Sequence, residues 1–337
     1  MGSTIRSQWG YPRRMVAKAV QGAPRFAARG PILTPLASGG VRFWRDGLLV
    51  SDSAGRIQFV GATKEIRKKY FGPVRDYRTN LMVPGFVDAH LHFPQTRIIG
   101  AATGPLLDWL AESVFPEEAR FRRGRYPQTV AVEFVDRMLA AGTTTACIFS
   151  SSSAYATEVL FAHLAERGMR AVAGLTLMDQ HAPDALLVQR GPALAACRRL
   201  IKKWHGYDDD RLRFAVTPRF ALSCSRDLLR AAGRLAARHQ LLVQTHIAET
   251  RDEAVATLRA HPYARDYLEV YALAGLVGER TLLAHAIHLS GTQWRSLKRA
   301  GASVVHCPDS NFFLGSGRMP FKRAIAHSRA LALGSDI

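Results

Sequence analysis

From Val83 onward the chain repeats one pattern eight times: a short apolar run, then a longer segment rich in Ala, Arg and Leu. The runs are VPGFVDAH, TTTACIF (143–149), RAVAGLTLM (170–178), LRFAVTPRF (212–220), LLVQTHIAE (241–249), TLLAHAIHL (281–289), ASVVHCP (302–308) and ALALGSDI (330–337). Runs that are apolar on both faces belong to parallel strands covered by helices. Intervening stretches such as YPQTVAVEFVDRMLAAG and SRDLLRAAGRLAARHQ read as those helices. Eight units over residues 83–337 match the roughly 250 residues of a (β/α)8 TIM-type barrel, an α/β fold. A doubly wound sheet is the alternative, but no G-x-G-x-x-G follows the first run.

Residues 31–82 read as a small β-rich domain ahead of the barrel. Within it, VRFWRDGLLVSDSAGRIQFVG is a hairpin turning at SAGR, and TKEIRKKYFG is a brief helix. Residues 1–30 are basic, contain no acid, and are expected to be a disordered extension. The whole chain carries 46 Lys and Arg against 27 Asp and Glu, a net +19. No basic cluster is interleaved with aromatics, and no helix-turn-helix, RNA-recognition or zinc-finger pattern occurs, so no nucleic-acid partner is expected. No apolar run approaches a membrane span. The four cysteines, Cys147, Cys197, Cys224 and Cys307, form no C-x-x-C pair, which fits free thiols in the cytoplasm.

Catalytic groups of such barrels sit at the C-terminal ends of strands. The first run ends in His90 and His92, spaced so that both imidazoles, with Asp88, face one side of a strand. His246, His285 and Asp336 fall at equivalent places on the fifth, sixth and eighth runs. Nitrogen and carboxylate donors without thiolates suit one Zn²⁺, with Fe²⁺ as the alternative. Such an ion makes a nucleophile from water at neutral pH. Glu249, three residues past His246, reads either as a proton shuttle or as an ordinary helix-start carboxylate. His306 lies near the end of the seventh run and is a candidate to stand behind the ligands. The H-x-E and P-C-x-x-C signature of cysteine-rich zinc deaminases is absent.

The motifs PGFVDAHLHFPQ, LLDWL followed by VFPEEARF, AGTTTA, VTPRFALSCS, QTHIAE, AHAIHLS, HCPDSNFFLGSG and LGSDI resemble those of the amidohydrolase superfamily, and within it the guanine deaminases. The likeness runs from about residue 25 to 337. It implies zinc-dependent hydrolysis of guanine to xanthine and ammonia, with guanine and water as partners and a homodimer allowed. It implies that His90, His92, His246, His285 and Asp336 hold the metal, and that Glu249, Asp336 and His285 carry catalysis. Gln95, Arg219 and Phe220 match the residues that hold the purine. No lysine ends the fourth run, where two-metal relatives have one, so a single metal is implied. Asp309 departs from the uncharged residue usual in the family. The family chain continues beyond the match to Asp336, so residues 1–337 alone are expected to act weakly. Another amidohydrolase acting on a cytosine, triazine or adenosine-type amine, a non-catalytic scaffold of the same fold, and a basic nucleic-acid-binding module remain as alternatives.

Overall fold

A computed structural model describes residues 24–66, 72–101 and 104–336. It divides into two compact units between Pro84 and Gly85.

In the first unit, β1 (Pro24–Pro35), β2 (Val41–Asp52), β3 (Ile57–Ala62) and the two-residue β4 (Arg75–Asp76) form one sheet in the order β3-β2-β1-β4. The hairpin at SAGR is present. Asp52 Oδ1 accepts the N–H groups of Ala54 and Arg56, both at 2.9 Å, and Gly55 takes φ 77°. Leu48, Val50, Phe59 and Ile66 fill a small core with Ala27. β1 begins at Pro24, so the expected disordered extension to residue 30 is too long. Its last residues pair with β2, and Ala27 and Ala28 are small enough to lie buried there. The rest of that extension, residues 1–23, lies outside the described residues. The brief helix is Thr63–Ile66.

In the second unit the strands are β5 (Phe86–His92), β6 (Thr143–Phe149), β7 (Arg170–Gly174), β8 (Thr176–Leu177), β9 (Leu212–Pro218), β10 (Leu242–Ile247), β11 (Thr281–His285), β12 (Ser303–His306) and β13 (Leu331–Leu333). They run parallel in the order β5-β6-β7-β9-β10-β11-β12-β13, with β8 a short piece paired to β9. This is a nearly closed eight-stranded barrel. The third run divides into β7 and β8 after Gly174, where a side chain would collide with Thr217 Oγ1 at 2.1 Å and Ala215 O at 2.2 Å. The seam between β13 and β5 is bridged just past the strand. The Asp336 N–H donates to His90 O at 2.8 Å, and the Ser335 N–H donates to Asp88 Oδ1 at 3.1 Å.

Helices pack on the outer faces of the inner strands, while Phe86 and Val87 of β5 and Leu333 of β13 stay exposed. Arg226–His239 buries Leu228, Leu229, Ala232, Leu235 and Ala236, a single stripe at helical spacing. It starts at Ser225, whose Oγ accepts the Leu228 N–H at 3.1 Å, and stops at Gln240 with φ 51°. Gly291–Ala300 starts in a capping box between Ser290 and Gln293. The core between helices and strands includes Phe134, Phe161, Trp204, Phe214 and Trp294, with Phe161 and Trp204 stacked at 5.5 Å.

Candidate metal centre and its pocket

The polar residues singled out in the sequence converge at one end of the barrel. β5 ends with His90 and His92 buried, and the 3-10 turn Phe93–Gln95 that follows buries Gln95. β9 delivers Arg219 and Phe220, both buried, just beyond its last residue. β10 carries His246, then turns sharply at Ala248 (φ 47°) to present Glu249. β11 ends at His285 with φ 69°, and Asp336 has φ 68°. Left-handed backbone at residues with side chains is costly and persists where the surroundings enforce it.

Asp336 Oδ1 lies 2.7 Å from His90 Nε2 and 3.3 Å from His92 Nε2. His92 Nε2 lies 3.0 Å from His246 Nε2. His285 Nε2 lies 3.4 Å from Glu249 Oε2 and 3.8 Å from Asp336 Oδ2. Two overlapping groups of donor atoms result: His90, His92, His246 and Asp336, and His90, His285 and Cys307, each within 4.8 Å.

The outer nitrogens orient the rings. His246 Nδ1 donates to Arg219 O at 2.5 Å, and His285 Nδ1 donates to Asn311 Oδ1 at 2.8 Å. Both Nε2 atoms therefore turn lone pairs inward, toward the carboxylate of Asp336. The buried Nε2 of His285 makes no hydrogen bond, and that of His90 meets the Asp336 carboxylate. A buried centre lined with acceptors calls for a cation.

The electrostatics agree. Burial pushes His92 down to about 3 and His246 well below the usual imidazole value. Burial works to raise the Asp336 carboxyl, but the imidazoles of His90 and His285 outweigh it and hold it well below the usual range. Burial likewise opposes charge on His285, yet the carboxylates of Glu249 and Asp336 raise it. The field that favours a proton there also favours a metal ion. Burial raises Glu249, whose Oε1 accepts from Ser316 Oγ at 2.9 Å. Burial keeps the Cys307 thiol protonated, which makes it a poor ligand beside the imidazoles.

Next to this centre is a pocket lined by Gln95, Leu106, Trp109, Arg219, Phe220 and Glu249, with Asp336 and two of the histidines. Arg219 Nη1 donates to Glu118 Oε1 at 2.6 Å and Oε2 at 2.7 Å, and its guanidinium lies 5.4 Å from the Phe115 ring centre. The Trp109 indole N–H is buried without a partner.

Asp88 does not join the cluster; its Oδ1 accepts the N–H groups of His90 and Ser335 and so ties the seam. His306 is half-buried and faces the Phe321 ring at 6.0 Å; burial first, and then the charge of His285, lower its pKa. Asp309 is exposed in the first turn of the helix Pro308–Phe313, where a negative charge is favourable. Glu118, Asn311, Ser310 and Ser316 were not singled out, although FPEEARF and HCPDSNFFLGSG contain them. Nothing local marks them, because each acts on a group distant in sequence.

The barrel with its inward histidines and aspartate is matched over residues 81–337 by the amidohydrolase family, and the chain belongs to that family. It is 35% identical over 300 residues to the guanine deaminase of Escherichia coli (strain K12), covering 88% of this chain and 68% of that protein. It is 38% identical to a probable guanine deaminase of Deinococcus radiodurans, covering 87% of this chain and 67% of that one. A solved guanine deaminase from C. acetobutylicum with guanine bound in its active site superposes with a TM-score of 0.86 at 32% identity, over 93% of this chain and 74% of that one. The chain thus spans about two thirds of the curated relatives.

Proposed function

We propose that this chain is a zinc-dependent guanine deaminase, converting guanine and water to xanthine and ammonia. The observation that carries the reading is the convergence of four histidines and Asp336 beside a pocket that also holds Gln95, Arg219, Phe220 and Glu249. Similarity to guanine deaminases supports the choice of substrate.

His90, His92, His246, His285 and Asp336 would hold the ion; the donor set suits zinc, with iron(II) the alternative. When bound, the ion supplies Lewis acidity that makes water nucleophilic near neutral pH. Glu249 protonates a ring nitrogen beside the amino-bearing carbon and passes a second proton toward the departing amine. Its raised pKa suits both tasks, and Ser316 fixes one of its oxygens. Asp336, ionised, takes up a proton from water at a carboxylate oxygen, while Ser310 Oγ holds Oδ2 at 2.6 Å. Arg219 donates to the carbonyl edge of the purine, Gln95 offers a donor and an acceptor, and Phe220 supplies apolar wall.

In this reading the residues from Gly85 onward are the catalytic barrel, those from Pro24 to Pro84 a separate β domain, and the four free thiols fit a cytoplasmic protein. Among the described residues no helix is long and apolar enough to cross a membrane. The test is metal analysis of purified protein with a panel of guanine, cytosine, adenosine and an aminotriazine. Xanthine should form from guanine at a kcat/KM well above that of any other amine. Preference for another amine would reassign the substrate, and metal-loaded protein inactive on all of them would mark a scaffold.

A further inference from the structure

Arg219 and Glu118 form an ion pair that is almost fully buried, with side chains 4% and 1% exposed. Both bonds to Glu118 use Nη1, which leaves the other N–H groups of the guanidinium for whatever enters the pocket. A lone buried guanidinium would be a strong anchor for anions. Glu118 cancels that charge without removing the donors. If the pocket deaminates guanine, this matters after the reaction, because xanthine is the more acidic base and loses a ring proton near neutral pH. A neutral donor reads a carbonyl oxygen in either purine; a net positive one would retain the anionic product.

We propose that Glu118 is a positioning and charge-compensating residue that lets Arg219 bind a neutral oxopurine while the site releases an anionic product. The proposal rests on the guanine deaminase reading. Glu118 is not among the residues lining the pocket, and it meets the site through its two bonds to the Arg219 guanidinium.

The test is equilibrium binding to the metal-loaded protein at mildly alkaline pH, where xanthine is largely anionic and hypoxanthine largely neutral. In Glu118→Gln the affinity for xanthine relative to hypoxanthine should rise about tenfold or more, since one compensating charge has gone from a buried site. Product inhibition by xanthine during guanine turnover should rise with it. In the double variant E118Q/R219M the ratio should fall back to or below the wild-type value. General damage to the pocket would weaken both ligands, so tighter xanthine binding is not its signature. If Glu118→Gln does not fold, Glu118→Asp loosens the pair without neutralising it and should move the ratio the same way by less. An unchanged or lower ratio in a folded single variant overturns the proposal. Wild-type protein that binds hypoxanthine but deaminates no guanine sinks the functional reading and leaves the charge test standing; wild-type protein that binds neither purine overturns both.

Discussion

Glu249 occupies a position that few side chains reach. It follows the left-handed Ala248 at the end of β10, and Ser316 grips one oxygen while the other faces His285. That placement suits a group that moves protons and is itself no primary ligand. Glu249→Gln should therefore keep its metal and lose about 10²–10⁴ of kcat. Metal content and turnover on the same sample check this, and metal loss would make Glu249 a ligand. At this scale the sequence is readable where one residue type is demanded in one register, as with His90 and His92. It is less readable where a residue has two duties. From the sequence, Arg219 reads as a residue that holds the purine. The structure also seals it against Glu118, 101 positions away, and so makes it part of the core. Ion pairs of that separation leave no periodic trace in a sequence.

The helix Arg251–Ala260 shows how an element holds a site in place. Thr250 caps it by accepting the Glu253 N–H at 3.1 Å, and the Glu253 carboxylate folds back to accept the Glu249 N–H at 3.1 Å and the Tyr267 hydroxyl. Burial pushes Glu253 up to about 8 from an ordinary 4.5. The folded state therefore holds a proton that the unfolded chain has released between those values. Its contribution to stability is full below about 4.5 and is lost as pH rises through about 8, at no more than about 1.4 kcal/mol per pH unit. Thermal melts of wild type and Glu253→Gln should show a steeper decline between pH 5 and about 8 in the wild type, levelling above it; parallel curves would refute it. Elements were legible where apolar runs are unbroken: β6 is Thr143–Phe149, the run as read. LLVQTHIAE and TLLAHAIHL were read too long. β10 stops at Ile247 and β11 at His285 because the backbone turns left-handed at Ala248 and at His285 and Ala286, so as to aim side chains inward. Hydrophobicity carries no signal of that turn.

Across the whole barrel, the seam between the first and last strands lies at the site. Gly334 passes so close to β5 that a side chain there would meet His90 Cβ at 2.7 Å and His90 O at 2.9 Å. Gly334→Ala should push the Asp336 segment away from His90, weaken metal retention and lower the melting temperature together. Metal content after dialysis against a chelator, with a melt, checks it; wild-type values for both would show that the seam tolerates the methyl group. The eight-unit barrel was legible because repetition over hundreds of residues averages out local ambiguity, whereas its closing contact is made by two short segments. That contact has a bearing on how the protein is made. A ribosome delivers His90 early and Asp336 only after β13 has emerged, and the two meet when the last strand docks on the first. Chains that have not closed the ring lack one of the donors, so tight capture of an ion should await the docking of β13 on β5.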